Sequence, residues 1–162
     1  MNERDALLQT LSTAPTLLRG FMETVPDSVL DRQRGQGFWT IKEHLAHLTD
    51  VQPMLLLRLA RFRDESHPDF QPHLPGDDAG QALPIDQPVS KLLESFENER
   101  QKQLQVIESL SDDVWSRTAS HPEYTHYDAT VLIRHVALHD HWHMYRMEEL
   151  WLTRDQYLTE LK

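Results

Sequence analysis

Apolar residues in this chain return every three or four positions over four long stretches, and no stretch alternates convincingly in the manner of a strand. The first stretch runs from Glu3 to Thr24, with Leu7, Leu8, Leu11, Leu17, Leu18, Phe21 and Met22 at helical spacing. Pro15 lies inside it, which predicts a kink or a later start, because proline lacks the N–H that a helix interior uses. The second begins after Thr40. Thr40 is an N-cap residue type, and Glu43 three positions on completes a capping box. Ile41, Leu45, Leu48, Val51, Leu55, Leu59 and Phe62 carry the periodicity onward, with Pro53 as a point of bending.

The third stretch covers about Val89 to Ser109, with Leu92, Leu93, Phe96, Leu104 and Ile107 on one face and Glu, Gln, Lys and Arg on the face expected to meet solvent. Ser111-Asp112-Asp113 can start a short turn through Trp115. The fourth runs from Asp128, a plausible N-cap, to Leu152, and a last turn through Tyr157 can follow. Between the second and third lies an irregular connection, 66–88, with five prolines and two glycines; a second connection, Ser116 to Tyr127, is polar. Connections this long in a compact domain usually carry function or movement. The expectation is an all-α, four-helix bundle with long connections between helices 2–3 and 3–4, as a single domain over 1–162.

Charge and composition narrow what such a bundle can do. The formal net charge is −10, which argues against a partner whose backbone is a string of phosphates. The longest apolar run, Met54 to Leu57, is too short for a membrane span, and the charged N-terminus resembles no signal peptide. Cysteine is absent, so neither a disulfide nor a thiolate ligand is available. A cytoplasmic protein is expected.

Histidine stands out: there are ten, four of them between positions 135 and 143. His135, His139 and His143 step by four residues, about 40° around a helix, and so share a face. Leu132, Val136, Met147 and Leu150 mark the inward stripe, and His139 and His143 continue it; His141 is turned outward. Two imidazoles at this spacing can meet one ion. The second helix offers His44 or His47 as a third ligand. Periodicity alone leaves both open, with His47 favoured because His44 lies near the helix start, where water can reach it. His135 reads as a core or supporting histidine.

The segment Trp39-Thr40-Ile41-Lys42-Glu43-His44-Leu45-Ala46-His47-Leu48-Thr49-Asp50 resembles the signature of the DinB-like superfamily of metal-binding four-helix proteins. Leu132 to Leu150 is similar to that family's final helix. The resemblance covers essentially the whole chain, and it implies His47, His139 and His143 as the three metal ligands. Where relatives commonly carry a His before the last ligand this chain has Trp142, and where they often have Gly-Gln after it this chain has Met144-Tyr145-Arg146. The family includes transferases and isomerases that use low-molecular-weight thiols such as bacillithiol or mycothiol, and homodimers are common in it.

Three neutral imidazoles leave a divalent ion its full charge and an open coordination position. Such an ion acidifies water, polarises a carbonyl or stabilises a substrate thiolate. The expected cofactor is therefore a divalent metal, Zn or Ni, and the expected activity that of a metal-dependent hydrolase or thiol S-transferase acting on a small molecule. A non-catalytic metal-binding module of the same fold, or a metal-free bundle, is the competing reading. Asp50, three residues after His47, is the candidate general base or hydrogen-bond partner of a ligand. Glu43 is assigned to the capping box and Asp140 to the solvated surface. Arg58 and Arg146 could meet an anionic substrate but read more simply as solvated charges. Trp39, Trp142 and Trp151 read as packing anchors.

Overall fold

The computed structural model describes residues 2–72 and 83–161. Seven α-helices are present among them: α1 (Glu3–Thr24), α2 (Ile41–Asp50), α3 (Gln52–Asp64), α4 (Val89–Glu108), α5 (Asp112–Trp115), α6 (Ala129–Leu152) and α7 (Asp155–Leu158). The described residues contain no strand; two isolated bridges, Asp69 with Ser120 and Thr118 with Asp128, tie the connections together. The fold is an all-α four-helix bundle in which α2 and α3 share one position.

Local chemistry sets the boundaries. Asn2 and Asp5 cap α1 reciprocally, so the helix starts at Glu3 and continues through Pro15; the later start does not occur. Thr40 and Glu43 form the expected box on α2, with Glu43 N–H donating to Thr40 Oγ1 at 3.1 Å and Thr40 N–H to Glu43 Oε2 at 2.7 Å. Asp128 caps α6 by accepting from Val131 N–H at 2.8 Å. Pro53 does more than bend the second helix. It occupies the first turn of a new one, where its missing N–H costs nothing, and the chain breaks at Val51 into α2 and α3. No described helix is long and apolar enough to cross a membrane.

α1 packs on α4 and α6, and so do α2 and α3, which places α4 and α6 across the bundle diagonal from each other. The apolar core comes in two clusters. One gathers Leu11, Leu55, Leu59, Phe62, Ile107, Leu132 and Val136; the other gathers Leu18, Leu45, Leu48, Leu92, Phe96, Met144 and Met147. On three of the bundle positions the division falls at one level, and polar side chains fill it.

Arg100 and Asp140 are fully buried there and form an ion pair at 2.7 Å across the diagonal. Arg100 also donates to Gln103 Oε1 (3.0 Å) and Gln52 Oε1 (3.2 Å); Gln103 donates to Gln52 Oε1 (2.9 Å), and Gln52 to Leu48 O (2.6 Å). Asp140 is thus not a solvated charge. Its rotation of about 100° from His139 takes it away from the histidine cluster, but into the core. Arg100 and Gln103 likewise lie on the buried face of α4 and not on its wet one.

Candidate metal centre

The polar layer supports a cluster of histidines on its cavity side. His47 from α2 and His139 and His143 from α6 each bring a ring nitrogen within 4.8 Å of the other two. His139 Nε2 lies 3.1 Å from His47 Nε2 and 3.1 Å from His143 Nε2. A single imidazole nitrogen carries either one N–H or one lone pair, so it cannot satisfy both contacts as hydrogen bonds. A cation between them satisfies all three. Tetrahedral ligands at about 2.0–2.1 Å from zinc stand roughly 3.4 Å apart, so the spacing suits a first-row divalent ion with little movement.

The rings are also in the protonation state that ligation needs. Burial, then the neighbouring His47 and His135, lowers His139 to about 3. Burial, then the other imidazoles, lowers His143 still further. Both therefore offer lone pairs at neutral pH.

His44 is not at the wet end of its helix. It is 7 % exposed, as buried as His47, and its Nδ1 lies 2.8 Å from His143 Nδ1. If His143 ligates through Nε2, its Nδ1 carries the proton and donates to His44 Nδ1, which fixes the tautomer and aims the ring. The two histidines that compete on periodicity thus take different places: His47 joins the ligand cluster and His44 stands behind a ligand. Burial, then His47 and Arg146, lowers His44 to about 4, so it too is neutral. His139 Nδ1 is buried with no hydrogen-bond partner among the described residues.

Asp50 does not join this group. It is the last residue of α2, exposed, and outside the cavity lining. His135 is no core residue either: it is exposed into the cavity, its ring stacked on His139 at 5.9 Å between centroids. His141 points outward, as its phase predicts. Of the tryptophans, Trp151 packs against Phe21. Trp39 covers the cluster, its ring 4.8 Å from that of His47 and 5.8 Å from that of His143. Trp142 is 49 % exposed and meets the His143 ring edge-on, with Arg146 over its face, so it is a rim residue and not a core anchor.

The histidines line a cavity of about 570 Å³, within the range of small-molecule sites. Val51, Met54, Leu55 and Leu132 form apolar walls, and Arg58, Arg146, His121, Tyr124 and Tyr127 add polar groups. Arg58 and Arg146 are therefore cavity residues. Pro72 borders the cavity too, but residues 73–82 of the proline-rich connection, past which substrate is expected to enter, lie outside the described residues.

A helical bundle with three imidazoles converging on one wall of a cavity defines a class, that of four-helix proteins with a three-histidine group able to hold a metal ion. The DinB superfamily model matches residues 10–154, and the chain belongs to that superfamily. Among solved structures it is similar to YfiT from Bacillus subtilis, described as a probable metal-dependent hydrolase with an unusual four-helix bundle topology. The TM-score is 0.80 at 21 % identity, over 93 % of this chain and 87 % of that one. No curated protein matches the chain.

Proposed function

We propose that this protein is a divalent-metal-dependent hydrolase of small molecules. The observation that carries the reading is the convergence of His47, His139 and His143 on one point of the cavity. When bound there, a zinc or nickel ion supplies Lewis-acid polarisation and acidification of water. The rest is the work of the chain. His47, His139 and His143 would hold the ion, and a three-ligand set of this kind leaves it a coordination position for water or substrate. His44 keeps His143 in the tautomer that exposes its Nε2 lone pair. Trp39 covers the cluster on one side and limits water to the cavity side. The apolar walls from Val51, Met54 and Leu55 desolvate what binds, which strengthens the electrostatics at the reacting end. The likeness to YfiT agrees with this reading.

Thiol transfer would use the same three ligands, and a panel of substrates separates the two activities. Untagged protein, stripped and reloaded with Zn²⁺ or Ni²⁺, is expected to bind one ion per chain and to hydrolyse members of an ester and amide panel without added thiol. His47→Ala and His139→Ala should each lose both properties while keeping their helical circular dichroism. Turnover that requires a thiol would replace hydrolysis with S-transfer. Stoichiometric metal without turnover of either kind would make the protein a binding module.

A further inference from the structure

The cavity extends beyond the histidine cluster, and its far end has a chemistry of its own. From Val51 at the break and on along α3, Met54, Leu55 and Arg58 follow one another in the cavity lining, so the apolar wall ends in a guanidinium. Along α6, His143, His139 and His135 lead in the same direction. Arg58 is half-buried, donates through one Nη2–H to Gln71 O at 2.6 Å, and lies beside buried Tyr127. The Phe70 ring lies 5.4 Å from it. A guanidinium has five N–H donors in a planar fork, so these contacts fix its orientation without exhausting it. Buried His121 stands beside it. His121 Nδ1 accepts from Glu123 N–H at 3.2 Å, which leaves the proton of the neutral ring on Nε2, as a further donor.

The charge here runs against that of the chain. The protein carries −10 overall, yet the cavity is lined by three arginines against two glutamates before any metal is added. Glu149 is paired with Arg146, and Glu123 is exposed. His121 is pushed toward its neutral form, first by burial and then by Arg58. Arg58 is the cation of this end, with the His121 ring and the Tyr127 phenol beside it.

We propose that this end of the cavity is a carboxylate subsite, in which the Arg58 fork, aided by His121, holds the carboxylate of a substrate whose reacting group lies at the three histidines. One oriented guanidinium flanked by neutral donors suits a planar monoanion better than a phosphate dianion, which draws on several cations. His135 stands one helical step of four residues, about 6 Å, beyond His139. The substrate is accordingly a small organic acid with its reacting bond several atoms from the carboxylate and an apolar or aromatic middle to lie along Met54, Leu55 and the Tyr124 ring. This deepens the hydrolase reading and names its substrate class.

The test uses the full chain, metal-stripped and Zn²⁺-loaded in parallel. Calorimetric titration compares phenylacetate, 3-phenylpropionate and 4-phenylbutyrate with their primary amides. At least one acid should bind about tenfold more tightly than its amide, as a charge-assisted fork provides, in both metal states. Arg58→Gln should abolish the preference and Arg58→Lys should restore part of it. Zinc stoichiometry should not change in either. Arg61→Gln, on the same helix and already paired with Glu65, should keep the preference. The proposal is overturned if no acid is preferred over its amide, if the preference survives Arg58→Gln, or if it exists only with zinc bound, which would place the carboxylate on the ion. Arg58-dependent binding in a protein that fails to take up metal would instead sink the hydrolase reading and leave the subsite standing.

Discussion

Removing Arg100 alone should cost far more than removing Arg100 and Asp140 together. Both side chains are wholly buried and 2.7 Å apart, on helices that face each other across the bundle. With Arg100→Met, the carboxylate keeps its desolvation but loses its counter-charge, and Gln52 and Gln103 lose a shared donor. Burial already pushes the Asp140 carboxyl up, with Arg100 pulling it back; without Arg100 the group must take up a proton or disrupt the layer. Breaking a buried pair in this way typically costs about 3–5 kcal/mol. In a chain of this size that lowers Tm by about 6–20 °C. Arg100→Met with Asp140→Leu replaces charge by apolar volume and should recover most of the loss, since such exchanges are often neutral or better. Urea and thermal unfolding of metal-free protein, followed by circular dichroism, give the double-mutant cycle. A coupling near zero, with the double variant as unstable as the sum of its parts, would refute the view that the pair acts as one buried unit. The same variants report on the site, because Asp140 adjoins His139: a stable double variant with weakened zinc binding would show that the layer also aims the ligand.

Two further outcomes follow from the histidine cluster. Stability of the metal-free protein should fall as pH drops below about 6.5, because the unfolded chain takes up the His44 proton there while the folded chain resists until about 4. The contribution is complete above 6.5, and about 3 kcal/mol of it is gone at pH 4; His139 acts in the same direction. Urea midpoints between pH 7.5 and 4.5 read this, and His44→Phe should give the shallower profile; parallel profiles would contradict it. The same His44→Phe protein should bind zinc about 10- to 100-fold more weakly in competition with a chromophoric chelator, whereas unchanged affinity would mean that His44 only fills space.

The sequence exposes the helices and two of the ligands because both obey helical phase. Capping at Thr40 and Asp128, the inward stripe of α6 and the outward turn of His141 all follow from residue type and a rotation of 100° per residue. The place of His44 is not legible from phase, because a helix start ordinarily meets water, while in the folded chain Trp39, immediately before the cap, folds over the first turn and buries it. Asp140 and Arg100 run against the rule that charged side chains lie at the surface unless they are paired. The signal was present. Phe96, Arg100, Gln103 and Ile107 fall on one stripe of α4, and two polar residues in the middle of an apolar stripe mark a buried network that needs partners elsewhere. His121, Tyr124 and Tyr127 lie in a connection without periodicity, so no phase argument could place them against Arg58.

The place of the polar layer explains a feature that neither core packing nor ligation explains alone. A bundle of this size could fill its middle with leucine and lose nothing in stability. Instead Gln52, Arg100, Gln103 and Asp140 occupy the level at which α2 breaks into α3 and at which α6 presents His139 and His143. The break at Val51 frees carbonyls that a continuous helix would have satisfied, and Gln52 donates to one of them, Leu48 O. From Gln52 the network passes to Arg100 and on to Asp140, the residue after a ligand. A kinked helix and a histidine pair on a facing helix are thereby held in one register by directional bonds, where interchangeable apolar contacts would allow sliding. Three nitrogens within 4.8 Å of one another require that register, since the spacing tolerates little displacement before an ion loses a ligand.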